Sequence, residues 1–587
     1  MGKCHRCNHK HKHQKRKHQK RKCRKSECAN RIPCKWGDQD WKQFGKTLGV
    51  SRNANCETEI NRHNAELLEV KWTSQPVKQV FGPDDINIFV PGISVEGHYG
   101  YGNNLNVAGF VGDDPFGVVF KIDLRDGSVV WLSSRYQGAG NPLDLSSPIS
   151  WGGRFQPAIG KDALYFNRSG SADNDISPHP PVSPAIIALD KNTGDVIYVS
   201  ETNTPIGNDP APTIPNNTSP IVLIEEDDVI IIATSGLNVA TDYGAIRGFR
   251  ASTGDLLWAF QTTLGEDVGV NTGGTGCSIF GNTAVDTARK LVFAGTGQNN
   301  APPASDLQDS IFALNYLTGE FQWKRRFTVD DIGTWPLNCQ GCDSEPCEDC
   351  TDCECECEQC FYSGGDVKNW DISGGPHLDT LCIDGKYRDV VVAGSKEGKL
   401  YILDRESDTQ EGILYNEYVL NSPAPTGSSN QGINYSGCTD GKYYYFLLMY
   451  TTDGLPIGLG SPNVATSLFK IDPKDGKILF RKEFPNGHAA SPTFANGVVY
   501  FNTIVPGTFY AVDACTGETL KTLETNVNAA CTTVSEGSVY ISDVDKIYAL
   551  DLSGSGYHSC KSAKSKSAKS KDVLSQEQIE KLMSQLV

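Results

Sequence analysis

Eight of the chain's 20 cysteines crowd into residues 338–362, NCQGCDSEPCEDCTDCECECEQCFY. Cys339, Cys342, Cys347, Cys350, Cys353, Cys355, Cys357 and Cys360 stand two to five residues apart among Asp and Glu. Thiolates so spaced can hold zinc or a thiolate-bridged cluster, and Cys339 with Cys342 and Cys347 with Cys350 form CxxC pairs. The same thiols can instead join as disulfides, since reducing surroundings favour metal and oxidising ones favour S–S bonds. Both chemistries stay open. A second set, Cys4, Cys7, Cys23 and Cys28, brackets His5, His9, His11, His13 and His18 and could also take zinc. Almost nothing apolar lies between them, so the plainer expectation is an extended basic arm that binds polyanions by counterion release. The glycosylation sequons at Asn167, Asn217 and Asn434 are no more than chance gives in an Asn-rich chain.

These residues are displayed by a repeat. An apolar pair, an acidic or polar residue, a Gly-bearing turn and an apolar strand ending in an aromatic recur eight times, beginning at Lys121, Ala188, Gly248, Ala313, Ile402, Lys470, Ala511 and Ala549. One such unit cannot bury its own apolar face, so stacking of like units is implied. Asp123, Asp190, Asp404, Asp472 and Asp513 can accept from turn amides. Gly127, Gly194, Gly254, Gly319, Gly476 and Gly517 can supply positive φ. Four residues past the Gly stand Trp131, Tyr198, Trp258, Trp323 and Phe480, flat side chains able to wedge between neighbouring sheets. With two further strands ahead of each phrase the units become four-stranded, and four-stranded sheets set radially make a β-propeller.

The wording AxDxxTGxxxW resembles the tryptophan-docking motif of the pyrroloquinoline quinone (PQQ) dehydrogenase propellers, which have eight blades. Residues 40–72 look like the opening of those enzymes, with a DWxxFG phrase and an I-x-x-x-N-x-x-x-L segment. Residues 273–300, 309–335 and 369–405 are similar to the polyvinyl-alcohol dehydrogenase branch. The resemblance spans roughly residues 38–556 and implies an all-β, eight-bladed propeller of four-stranded antiparallel sheets. It divides the chain into a basic Cys/His-rich tail (1–36), the propeller (37–556, with the Cys-rich insertion 338–362) and a Lys/Ser-rich linker with a short amphipathic helix (557–587).

The resemblance also implies a site on the ring axis, where PQQ is stacked on an aromatic plane beside Ca²⁺. Phe280 takes the place of the stacking Trp. Gln298, with Asn299 and Asn300 beside it, offers amide oxygen to calcium. Lys396 falls where a cation faces the quinone, and Asp371 matches an acidic position of the polyvinyl-alcohol branch. Asp331 or Asp371 would act as base, and Asp173 is the one acid near the expected Glu ligand. The family's acid after Trp is replaced by Trp335-Pro336, with Asp330 and Asp331 just before it. No CxxCH haem motif is present, so electrons would leave to an external acceptor. Two functions follow: a quinoprotein oxidising small or polymeric alcohols with PQQ and calcium, or a noncatalytic propeller serving as a structural, surface or binding scaffold.

Charge separates the parts. The formal net charge of the 587-residue chain is −16; the two tails carry +13 and +3, which leaves −32 on the ring. An acidic disc with basic appendages is expected. The N-terminal tail lacks the apolar core of a standard secretory signal, and no stretch has the length of a transmembrane helix. Ile579, Leu582, Met583 and Leu586 fall on one helical face beyond a flexible linker, as a docking peptide for a protein partner would place them. Repeats four and five begin 89 residues apart, at Ala313 and Ile402, so the Cys-rich segment reads as an insertion on the ring.

Overall fold

A computed structural model describes residues 39–75, 88–89, 92–103, 105–106, 119–133, 156–167, 185–201, 219–234, 244–263, 275–301, 303–332, 368–420, 432–452, 463–488, 490–504, 507–525, 531–543 and 546–552. Eight four-stranded antiparallel sheets follow one another along the chain, and two two-stranded pairs and two short 3-10 turns accompany them among the described residues. Blade one comprises Ile93–Glu96, Tyr99–Asn103, Val119–Asp123 and Val129–Ser133, and the second to seventh repeat phrases likewise form the outer hairpins of their own blades. Blade eight is composite. Its three inner strands, Thr533–Ser535, Ser538–Ser542 and Ile547–Asp551, come from the end of the ring, while its outer strand, Glu69–Thr73, comes from the beginning. Ring closure is therefore non-covalent, held by the register Glu69↔Asp551 to Thr73↔Tyr548.

The repeat's turn residues do what their chemistry allows. Asp190 Oδ1 accepts the amide of Asn192 at 2.7 Å, Asp513 Oδ1 that of Cys515 at 2.6 Å, and Asn315 Oδ1 that of Leu317 at 2.9 Å. Gly194, Gly254 and Gly319 sit at φ 80°, 80° and 73°. Each of these glycines also faces the aromatic of the preceding blade. A Cβ on Gly194 would lie 2.8 Å from the Trp131 ring, on Gly254 2.6 Å from Tyr198, and on Gly319 2.7 Å from Trp258. The indole N–H of Trp258 then donates to the Tyr316 carbonyl at 2.9 Å, that of Trp323 to Arg405 at 3.0 Å, and that of Trp72 to Leu124 at 3.0 Å. Blade-to-blade docking thus crosses the closure of the ring, Trp72 of the composite blade covering Gly127 of blade one. In blade five the docking aromatic is Tyr418, over Gly476, rather than the Tyr415 that ends the repeat phrase; Tyr415 instead donates its hydroxyl to Asp404.

The core lies in slabs between sheets. Leu291, Phe293, Val391, Tyr401 and Leu403 fill the seam between blades four and five, and Val392, Ile402, Tyr444, Phe446 and Phe469 that between five and six. The axis has its own small cluster of Phe44, Val50, Ala284, Ala490 and Cys531.

Phe44 and Val50 belong to residues 39–57, which visit the innermost strand of every blade. Trp41 bridges Val95 of blade one, and Ile159 of blade two donates to the Lys42 carbonyl at 2.7 Å. Leu223 of blade three donates to Gln43 Oε1 at 3.1 Å. Val285, Leu378, Thr439 and Phe494, of blades four to seven, donate to the carbonyls of Leu48, Gly49, Ser51 and Arg52 at 2.8, 2.8, 3.3 and 2.9 Å. Ser535 of blade eight donates to Gln39 at 2.9 Å. This belt meets the strands beyond the segments that lead into them, so the other end of the axis is left for ligands.

Candidate functional site

That other end is built from the segments that precede the innermost strands. Thr275–Gly276 pairs with Asn299–Ala301, which lays Gln298 beside Cys277; the Cys277 amide donates to the Gln298 carbonyl at 2.7 Å and Gly297 to Ser278 at 2.9 Å. Residues 369–373 lie against the other side of this strip, with Ile372 donating to the Thr296 carbonyl at 3.0 Å. Lys396 stands in the turn between Lys386–Gly394 and Lys399–Asp404, its amide bonded to the Asp371 carbonyl at 3.0 Å.

The side chains converge. Lys396 Nζ lies 2.5 Å from Asp371 Oδ2 and 2.8 Å from Asn369 Oδ1, and 5.7 Å above the centre of the Phe280 ring. Asp371 Oδ1 accepts the Gln298 amide at 3.0 Å. That bond needs Gly297, where a Cβ would stand 2.6 Å from the same oxygen. Asp371 and Lys396 are both buried, whereas Phe280 and Gln298 remain part exposed and form the accessible wall.

Asp331 has a different task. Its Oδ1 accepts the amides of Lys368 and Asn369 at 2.8 and 3.0 Å, and its Oδ2 that of Trp370 at 3.0 Å. It therefore fixes the loop that carries Asn369 and Asp371. Burial raises its pKa above the ordinary carboxylate value, against the pull of those three amides. Asp309, wholly buried, faces Asp331, and neither of its oxygens receives a donor from the protein. Burial, then the charges of Asp331 and Asp371, push its pKa well above the ordinary carboxylate value. Asn299 is buried too, its Oδ1 accepting the Ser305 amide at 2.8 Å. Asp330 points to solvent.

The residues read from the sequence thus fall into one cluster of Phe280, Gln298, Asn299, Asp331, Asp371 and Lys396. Asp309 and Asn369 complete it and carry no motif that would have marked them. Asp173, Pro336, Cys339, Cys342, Cys347 and Cys350 lie outside the described residues, as do both tails. Among the described residues no group of three or more His, Cys, Asp or Glu side chains is arranged to hold a metal. Cys277, Cys438, Cys515 and Cys531 are free thiols, whereas Cys56 and Cys382 are disulfide-bonded. The sequon residue Asn167 is buried and donates to the Ser219 carbonyl at 2.7 Å. No helix among the described residues is long and apolar enough to cross a membrane.

Residues 183–341 match the family profile described as glucose/ethanol/alcohol dehydrogenase, beta-propeller domain, and residues 461–565 that of outer membrane protein assembly factor BamB. The polyvinylalcohol dehydrogenase of Sphingopyxis sp. (strain 113P3) is 22% identical over 386 residues, 60% of this chain and 50% of the relative. The quinoprotein glucose dehydrogenase of Escherichia coli (strain K12) is 22% identical over 405 residues, 63% of this chain and 43% of that protein. The chain thus spans about half the length of these relatives. Among solved structures, the quinohemoprotein alcohol dehydrogenase from Comamonas testosteroni superposes with a TM-score of 0.59 at 15% identity, covering 92% of this chain and 82% of that one. A europium-containing methanol dehydrogenase gives 0.57 at 14% identity, covering 88% and 98%. The chain is thus similar to quinoprotein alcohol and glucose dehydrogenases in part of its sequence, and it shares with them the eight-bladed propeller fold.

Proposed function

We propose that the chain is a quinoprotein-type oxidoreductase acting on alcohol or sugar hydroxyls at the axial cluster. The observation that carries this reading is the buried Lys396–Asp371 pair set over the partly exposed Phe280 ring. A flat, anionic cofactor fits such a wall: Phe280 offers a face for stacking, and Lys396 offers a cation to oxygens laid across it. Gln298 and Asn299 would supply amide oxygen to a calcium ion. PQQ, when bound beside calcium, would take up the two electrons and two protons that an alcohol gives up on becoming a carbonyl.

The protein's own part is orientation and proton handling. Asp371 would take the hydroxyl proton, its oxygens held by the Gln298 amide and the Lys396 ammonium. Asp331, tied to three amides, keeps that carboxylate in position. Among the described residues nothing favours the scaffold alternative.

The test is reconstitution of the full chain with PQQ and Ca²⁺, followed by binding and dye-linked oxidation of primary alcohols and aldoses. Binding that quenches protein fluorescence, and turnover lost in Asp371→Asn while binding persists, is the expected result. Absence of PQQ binding at high micromolar concentration would overturn the reading.

A further inference from the structure

At the belt end of the axis lies a buried cation that no carboxylate meets among the described residues. Arg52 is completely buried, and its guanidinium donates through Nε to the Pro492 carbonyl and through Nη2 to Thr493 Oγ1, both at 2.8 Å. Its remaining edge, Nη1, is buried and meets no acceptor. The guanidinium carbon lies 5.5 Å from the centre of the Trp41 ring and 4.9 Å from that of Phe44. Trp41 is itself completely buried, and its indole N–H also lacks an acceptor. Among the described residues no carboxylate pairs with Arg52.

An isolated charge removed from water is costly unless it is paired, and two aromatic faces with two neutral acceptors offset only part of that cost. The two unmet atoms of the Trp41–Arg52 stack are both donors, beside a positive charge. We propose that this end of the channel holds a small monovalent anion such as chloride, bound by Arg52 Nη1 and Trp41 Nε1. A bridging water would satisfy the two donors but leave the charge uncompensated and need acceptors for its own hydrogens. The anion would neutralise the residue that ties the belt to blade seven, where Phe494 donates to the Arg52 carbonyl at 2.9 Å. The site is independent of the Lys396 cluster and of whether PQQ binds there.

The experiment is thermal unfolding of the full chain at fixed ionic strength, with sodium chloride replaced stepwise by sodium gluconate, an anion too large for the buried site. Chloride should raise the midpoint saturably. Trp41→Phe, which keeps the aromatic face and removes one donor, should shift the half-saturating chloride concentration upward about tenfold, the loss of one hydrogen bond to a charged group. Arg52→Met should abolish the dependence. If that variant fails to fold, Trp41→Phe and crystals grown in bromide keep the test decisive, with an anomalous peak expected beside Arg52 Nη1. Equal midpoints in chloride and gluconate, or a bromide-grown crystal with only water at Arg52, would overturn the proposal.

Discussion

Lys396 Nζ sits 2.5 Å from Asp371 Oδ2, and the pair is closed off on one side by Gly432, where a Cβ would come within 2.1 Å of the Lys396 carbonyl. The neighbouring blade therefore packs against the turn that aims the ammonium. A buried pair of this kind is weak evidence for stability but strong evidence for a price on breaking it. Lys396→Ala should lose about 3 kcal/mol or more, because it strands a buried carboxylate. The double variant Lys396→Met with Asp371→Asn should regain most of that in a urea titration. Both should fail to oxidise alcohols in the presence of PQQ and calcium, so recovered stability without recovered turnover would separate folding from chemistry.

Docking between blades can be weighed against backbone strain with two glycines of nearly equal φ. Gly319 lies at 73° under the Trp258 ring, and Gly385 lies at 72° with nothing within 4 Å of its would-be Cβ. Gly385→Ala should cost only the left-handed conformation, about 1–2 kcal/mol. Gly319→Ala should cost clearly more, since its methyl would enter the indole at 2.7 Å. Equal losses in chemical denaturation would mean that the docked ring contributes little.

How much of this was legible in the sequence depends on whether a role is local. The turn Asp and Gly residues act within their own hairpin, so their spacing announces them, and the eight-bladed ring follows. Blade five shows the limit. Its longer turn shifts the docking residue from Tyr415 to Tyr418, because Tyr415 finds a partner in Asp404. Phe280, Asp371 and Lys396 were readable through resemblance alone. Asp309 and Asn369 were not, since each matters only through a residue that the fold brings to it, Asp331 for one and Lys396 for the other. The route of the belt was equally hidden, because its contacts run mainly through backbone carbonyls that any side chain could accompany.

Acid should open the ring through two histidines. His377, between blades five and six, is completely buried against Tyr444 at 4.9 Å, and neither ring nitrogen has a hydrogen-bond partner. His488 is buried as well, with Nδ1 3.2 Å from Thr466 Oγ1. Burial lowers both pKa values to about 3. The unfolded chain therefore binds more protons than the folded one between about pH 6.5 and 3, and stability falls as pH falls through that window. By pH 4.5 each histidine should cost about 2–3 kcal/mol. Asp309 works in the opposite sense, its raised pKa favouring the folded state on the acid side. His377→Phe should flatten the acid limb of a plot of melting temperature against pH. An unchanged limb would place the acid sensitivity elsewhere.

The belt makes the sharpest demand on the fold. Among the described residues the belt's contacts with the blades run from Gln39 to Glu57, so a chain starting at residue 37 should melt close to the full chain. A chain starting at residue 58 keeps the closing strand Glu69–Thr73 and loses Trp41, Phe44, Val50 and Arg52, all buried. At about 1.5–3 kcal/mol for each large apolar side chain, Trp41, Phe44 and Val50 alone account for roughly 4 kcal/mol or more. The loss should be shared among blades, because each innermost strand gives up a contact to the same segment. Hydrogen exchange would then show faster amide exchange at Ile159, Val285, Leu378 and Phe494 together, as their donors lose the carbonyls of Lys42, Leu48, Gly49 and Arg52. Exchange confined to blades seven and eight would mean that the belt fastens only the seam near Arg52 and leaves the rest of the ring to its docked aromatics.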